Sequence, residues 1–258
     1  MDTRLTSRQL HLEHLRSMQS TLPTSSAAET MSSVKRSVAE IDVPGGWCER
    51  EIVVGDRAFR LISPTNPDAL LEQLESPGTS SAAHFADPYW AKIWPAAPLL
   101  AEVLLRTPLA PGPRMLELGC GSGLVGIAGL ASGLDVTFSD YVPLAVQLAL
   151  ENAKRNGFPG AAGLVLDWRE PTTDRFPLIL GADVTYDRTH FPPLLGVVEA
   201  MLAPGGEAWF GDAGRGPAEE FVQRAQDRGW QVSRFDQNDL PLHDHVLGRF
   251  QRIILRRK

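Results

Sequence analysis

The densest chemical signal in the chain is Glu117-Leu118-Gly119-Cys120-Gly121-Ser122-Gly123. Met115–Leu118 reads as a buried strand and Gly123–Ala131 as the helix after it, so the glycines fall where strand becomes helix. Glycine there lets the backbone take positive φ and approach a ligand closely. The start of the helix offers N–H groups to an acceptor. Asp140 ends the second strand, Val136–Ser139, in a position to hydrogen-bond ribose hydroxyls. Gly121-x-Gly123-x-x-Gly126 also fits the dinucleotide fingerprint. The Glu117 carboxylate, two residues before the first glycine, disfavours that reading, because it would repel a pyrophosphate and draw in a cation.

Two other constellations carry less. His243-Asp244-His245 has no second ligand cluster at metal-site spacing, and no metal is expected. Cys120 has no base placed beside it by the sequence and reads as a small loop residue rather than a nucleophile.

The elements that must hold the glycine loop follow from periodicity. Strand and helix alternate through the second part of the chain, which predicts an α/β fold: a Rossmann-like sheet of seven mostly parallel strands with helices on both faces. Pro143–Asn156 is a helix opened by Pro and closed by Asn-Gly. Leu164–Leu166 and Leu178–Leu180 are the third and fourth strands. Phe191–Leu202 is helical and is ended by the turn Pro204-Gly205-Gly206. Glu207–Gly211 is a strand, Pro217–Arg228 a helix and Gln231–Phe235 a strand. Phe250–Leu255 is the seventh, and without a crossover helix before it the strand returns antiparallel. Upstream, Glu51–Val54 and Ala58–Ile62 form a hairpin across Gly55-Asp56, and Asn66-Pro67-Asp68 opens a helix through about Leu74. Three parts are expected: a mobile tail over 1–40, with a short amphipathic helix between Leu5 and Met18 and a Ser/Thr/Ala-rich stretch; a hairpin and helix extension over 41–82; and the α/β domain over 83–258.

Composition narrows the classes. A chain of 258 residues holds one such domain with room for an N-terminal addition. The net charge of −6 argues against a nucleic-acid partner. No apolar run approaches the roughly 20 residues that span a bilayer, and no signal-peptide pattern opens the chain. Cys48 and Cys120 are too few for a disulfide framework. A cytoplasmic monomer is the expectation.

The glycine loop, as Glu117-x-Gly119-x-Gly121-x-Gly123, resembles the first motif of seven-β-strand, class I S-adenosylmethionine methyltransferases. Asp87-Pro88-Tyr89-Trp90-Ala91-Lys92-Ile93-Trp94-Pro95-Ala96-Ala97, Leu166-Asp167-Trp168 and Asp183-Val184-Thr185-Tyr186 resemble motifs of the methyltransferase-like protein-lysine methyltransferases. That group acts on the electron-transfer flavoprotein β subunit, on chaperones and on elongation factors. The resemblance runs from Phe85 to Lys258; residues 1–82 carry no motif of the group.

The resemblance implies S-adenosylmethionine as cofactor. Its binding set would be Trp94, Glu117, Gly119, Cys120, Gly121, Gly123, Asp140, Tyr141, Asp167, Trp168 and Ala182. Within that set Glu117 and the glycines would hold the methionine end, Asp140 the ribose, and Asp167 and Trp168 the adenine. Asp183 and Tyr186 would be the catalytic residues. Asp183 falls just past the fourth strand, placed to accept a hydrogen bond from an incoming amine. Tyr186, Trp94 and Tyr89 would wall an aromatic slot for the stem and ammonium of lysine. The implied activity is N-methylation of an exposed lysine on a protein. A small-molecule N-methyltransferase and a non-catalytic cofactor-binding module are the alternatives.

Overall fold

The computed structural model describes residues 38–75, 88–109 and 112–257; most of the expected N-terminal tail, with its helix, lies outside them. Strands β1 (Trp47–Val54) and β2 (Arg57–Pro64) pair antiparallel, with Val54 opposite Arg57. The intervening turn needs Gly55, at φ +60°. Helix α1 (Pro67–Glu75) follows, capped by Asn66, whose Oδ1 accepts from the Ala69 N–H at 3.2 Å.

The central sheet holds β3 (Arg114–Leu118), β4 (Asp135–Asp140), β5 (Ala162–Val165), β6 (Phe176–Ala182), β7 (Leu202–Asp212), β8 (Gln231–Phe235) and β9 (Gln251–Arg256), in the order β5-β4-β3-β6-β7-β9-β8. β3 to β7 pair in parallel, and β9 runs antiparallel to both β7 and β8, with no crossover helix between β8 and β9. The helices are α2 (Ala96–Arg106), α3 (Leu124–Ala131), α4 (Pro143–Arg155), α5 (Phe191–Met201) and α6 (Pro217–Asp227).

Alternation along the strands sorts the core into two layers. Met115, Leu178, Leu180, Trp209 and Ile254 pack against α2, α3 and α4. Their neighbours Leu116, Leu118, Ile179, Phe210, Ile253 and Leu255 pack against α5 and α6. The chain leaves β3 for β4 and β5 on one side and returns with β6 on the other. The carboxyl ends of β3 and β6 therefore meet at the switch point, with Leu118 opposite Gly181.

The hairpin is bound to the domain rather than appended to it. Asn152 on α4, fully buried, accepts from the Ile62 N–H at 2.7 Å and donates to the Ile62 carbonyl at 3.1 Å. Its second amide hydrogen reaches the Ser122 carbonyl at 3.0 Å, in the glycine loop. Val38, inside the expected tail, is buried with Ile62, Leu70 and Trp90 against α4.

Two expected elements differ. β5 ends at Val165, because the Leu166 N–H turns to the Asp140 carbonyl at 2.9 Å. Pro204-Gly205-Gly206 does not end a helix; it bulges from β7, whose pairing jumps from Phe176↔Leu202 to Leu178↔Glu207. Pro177, between those positions, has no N–H for the ladder. Gly206 lies so close to the Pro177 carbonyl that a Cβ would sit 2.6 Å from it.

Candidate active site

A cavity of about 550 Å³ opens at the switch point. It is lined by Glu117, Gly119, Cys120 and Gly121 from the end of β3, and by Asp140 and Tyr141 from the end of β4. Asp167 and Trp168 follow β5, while Ala182, Asp183 and Tyr186 follow β6. Trp94 closes one side. Of the residues expected at the site, Gly123 alone lies outside the lining. Its φ is +81°, and a Cβ there would meet Ala149 of α4 at 2.8 Å, so it seats α3 against α4.

Gly119 and Gly121 need their left-handed φ of +63° and +48°. A Cβ on Gly119 would come 2.9 Å from Val184, and one on Gly121 would come 3.1 Å from the Trp90 carbonyl. Asp140 stiffens this loop from the next strand: its Oδ2 accepts from Gly121 at 3.1 Å and its Oδ1 from Val142 at 3.0 Å. Glu117 turns toward α3, where its Oε2 accepts from the Gly126 N–H at 2.9 Å. It is 3% exposed, and burial pushes its carboxyl up to about 8. Burial beside Asp140 and Glu117 likewise pushes the Cys120 thiol up, which fits its reading as a loop residue.

The Asp-x-x-Tyr segment divides its work residue by residue. Asp183 sits in the left-handed region at φ +57°, rare for a residue with a Cβ. Its Oδ2 accepts from the Ala96 N–H at 2.6 Å at the start of α2, and its Oδ1 pairs with Arg215. Burial pushes its carboxyl above the ordinary range, against the pull of Arg215 and the Ala96 amide. Val184 packs on Gly119 and Gly181. Thr185 donates to Asp212 at 2.8 Å, and Asp212 accepts from the Gly214 and Arg215 amides, fixing the loop that carries Arg215. Tyr186 faces the cavity.

Aromatic rings run in sequence along the cavity: Trp94 to Tyr89 at 6.0 Å, Tyr89 to Tyr186 at 5.7 Å, Tyr186 to His190 at 5.9 Å and His190 to Trp168 at 6.1 Å. His190 was not foreseen; no motif marks it, and only the fold brings it here. Trp94 is held by its indole N–H, which donates to the Tyr89 carbonyl at 2.9 Å. Its ring already carries two cations of the chain, Lys92 Nζ at 5.3 Å and Arg215 Cζ at 5.6 Å. Asp167, expected at an adenine amino group, grips Arg169 (Nε to Oδ1, 2.8 Å), and that guanidinium holds its carboxyl below the ordinary value.

Among the described residues, no helix is long and apolar enough to cross a membrane, and no group of three His, Cys, Asp or Glu is disposed to hold a metal.

Comparison with known proteins places this geometry. EEF1A lysine methyltransferase 3 of Mus musculus is 32% identical over 142 residues, 52% of this chain and 61% of that protein. Histone-arginine methyltransferase METTL23 of Rattus norvegicus is 30% identical over 122 residues, 44% of this chain and 54% of that protein. The chain thus spans about half the length of the curated relatives it matches. A TehB-like SAM-dependent methyltransferase from Corynebacterium glutamicum superposes with a TM-score of 0.52 at 20% identity, covering 76% of this chain and all 100% of that one, which shows the same class I fold. A family model for lysine methyltransferases matches residues 84–224, a stretch that takes in the glycine loop, Asp183 and Tyr186. With more than half of its length matched, the chain belongs to the lysine methyltransferase family.

Proposed function

We propose that the chain is an S-adenosylmethionine-dependent N-methyltransferase whose acceptor is a lysine side chain of a protein. The observation that carries this is the opening of an aromatic slot, Tyr89 and Tyr186 beside Trp94, onto the cavity that holds the glycine loop. The relative that modifies lysine on a protein supports it, as does the family.

The residues fit the cofactor. Gly119 and Gly121 leave a cradle that side chains would fill, and the buried Glu117 carboxyl has no cation paired with it among the described residues. Glu117 and the loop amides would hold the amino-acid end, Asp140 the ribose, and Trp168 with Leu166 the base. Bound there, S-adenosylmethionine supplies an electrophilic methyl group on a sulfonium.

What the chain contributes is position and charge. The aromatic walls exclude water and align an alkyl stem. Asp183 is a positioning residue: with both oxygens engaged, it ties the start of α2 and Arg215 to the end of β6. Trp94, already faced by Lys92 and Arg215, forms a wall rather than a seat for a third cation. Both cations are themselves ion-paired, Lys92 with Asp68 and Arg215 with Asp183, and the acceptor reacts as the neutral amine, whose lone pair the transfer needs.

The test is incubation of the full chain with methyl-labelled S-adenosylmethionine and a lysate of its own organism, followed by hydrolysis of labelled protein. Label recovered as methyl-lysine supports the reading. Label as methyl-arginine, or in the small-molecule fraction, overturns the acceptor assignment.

A further inference from the structure

We propose that Glu117 gives up a proton when the cofactor's ammonium seats beside it, so that cofactor binding exchanges a hydrogen ion for a bound cation. The inference rests on the cofactor reading above and adds to it a proton that the reading does not require.

The geometry isolates this carboxyl. It lies on β3 between Phe138 of β4 and Leu180 of β6, and both neighbours are fully buried hydrophobes. Two amides of the first turn of α3 face it, the Gly126 N–H at 2.9 Å and the Val125 N–H, and neither brings a full counter-charge. The titratable groups that face it are Asp140 from β4, which is acidic, and the Cys120 thiol of the loop. No Lys, Arg or His among the described residues pairs with it. A buried carboxylate without a counter-ion is costly and takes up a proton instead. This agrees with a carboxyl that titrates at about 8 in the protein without ligand. Yet Glu117 lines the cavity beside Gly119 and Gly121, where a ligand's cation can reach it. An arriving ammonium supplies the missing counter-charge, the O–H bond breaks, and the proton leaves to buffer while the carboxylate stays. No electron transfer or co-reactant is involved.

The experiment is isothermal titration of the full chain with S-adenosylhomocysteine at pH 7, in buffers of different ionisation enthalpy. The expected result is release of close to one proton per site. The dissociation constant should be about fifty-fold weaker at pH 6 than at pH 8, as linkage dictates for a group titrating near 8. Methylthioadenosine, which keeps the base, ribose and thioether but lacks the ammonium, should bind with no proton release. Glu117→Gln, which keeps an oxygen for Gly126, should bind S-adenosylhomocysteine without the release. Binding with no proton released, or equal release with methylthioadenosine, overturns the proposal and leaves the cofactor reading standing. Failure of the folded chain to bind any of these ligands overturns the cofactor reading itself.

Discussion

Asp183 and Arg215 form an ion pair between the loops after β6 and β7, and the acid's side chain is 1% exposed while that of Arg215 is 27% exposed. The pair makes Asp183 part of the framework as well as of the site. Removing one partner of a buried pair costs about 3–5 kcal/mol, and the half-open Arg215 places this case toward the lower end. Asp183→Ala is expected to lower the melting temperature clearly and to depress methylation strongly. Asp183→Asn keeps an oxygen for the Ala96 amide and should melt between the two. Paired thermal melts and methylation rates test this; an unchanged melt for Asp183→Ala would remove the pair from the framework.

The glycines should separate by phenotype. Gly121→Ala forces a side chain into left-handed backbone against the Trp90 carbonyl, in the ligand cradle. It should weaken S-adenosylhomocysteine binding more than stability. Gly126→Ala would place a Cβ 2.2 Å from Phe138 and 2.5 Å from the Glu117 carboxylate. Such overpacking typically costs about 1–3 kcal/mol, so this variant should lose stability as well as binding. Calorimetry beside thermal melts reads both, and a reversed order of effects contradicts the assignment.

Asn152→Ala removes both links to Ile62 and the one to Ser122. Each buried polar group left without a partner costs about 1–3 kcal/mol. The melting temperature should fall by many degrees, and cofactor affinity should fall with it because the Ser122 tether is lost. An affinity equal to that of the parent would show that the loop holds its shape without α4.

Glu117 also sets a pH dependence of folding. Its carboxyl titrates near 8 when folded, against an ordinary value of 4.5. Between those values the folded chain holds a proton that the unfolded chain has released, so stability falls as pH rises through that window and levels off above it. Asp183, also raised, adds a slope of the same sign. Glu117→Gln should flatten most of the decline in chemical denaturation midpoints from pH 5 to pH 8. An identical slope in both proteins would show that the folded Glu117 ionises normally.

Periodicity and turn chemistry made the sheet legible, because Leu178–Leu180 is a short apolar run, Met115–Leu118 is apolar but for Glu117 and leads straight into the glycines, and Pro143 with Asn156-Gly157 marks both ends of α4. The glycine loop was legible for the same local reason. What stayed hidden is tertiary. Nothing near Asp183 announces Arg215, 32 residues away, so an acid expected at an amine turned out to be tied to a cation and a helix start. Gly123 and Gly126 look like ligand contacts in the motif, but Ala149 and Phe138 press on them from other elements. The Pro204-Gly205-Gly206 bulge follows from Pro177 on the neighbouring strand, a partner that local reading does not supply.

The Asn152 clamp also orders events in time. As the chain is made, Ile62 precedes its partner by 90 residues and Ser122 precedes it by 30. The ligand cradle is therefore synthesised before the group that steadies it. Closing so long a loop costs entropy that rises only slowly with length, but it delays the step. Ligand affinity should then be regained late in refolding, after most helical signal has returned. A protease that nicks just after β2, at Thr65–Asn66, early in that interval would strand a hairpin with nothing to hold, while every cavity-lining residue, from Tyr89 onward, stayed in the other fragment.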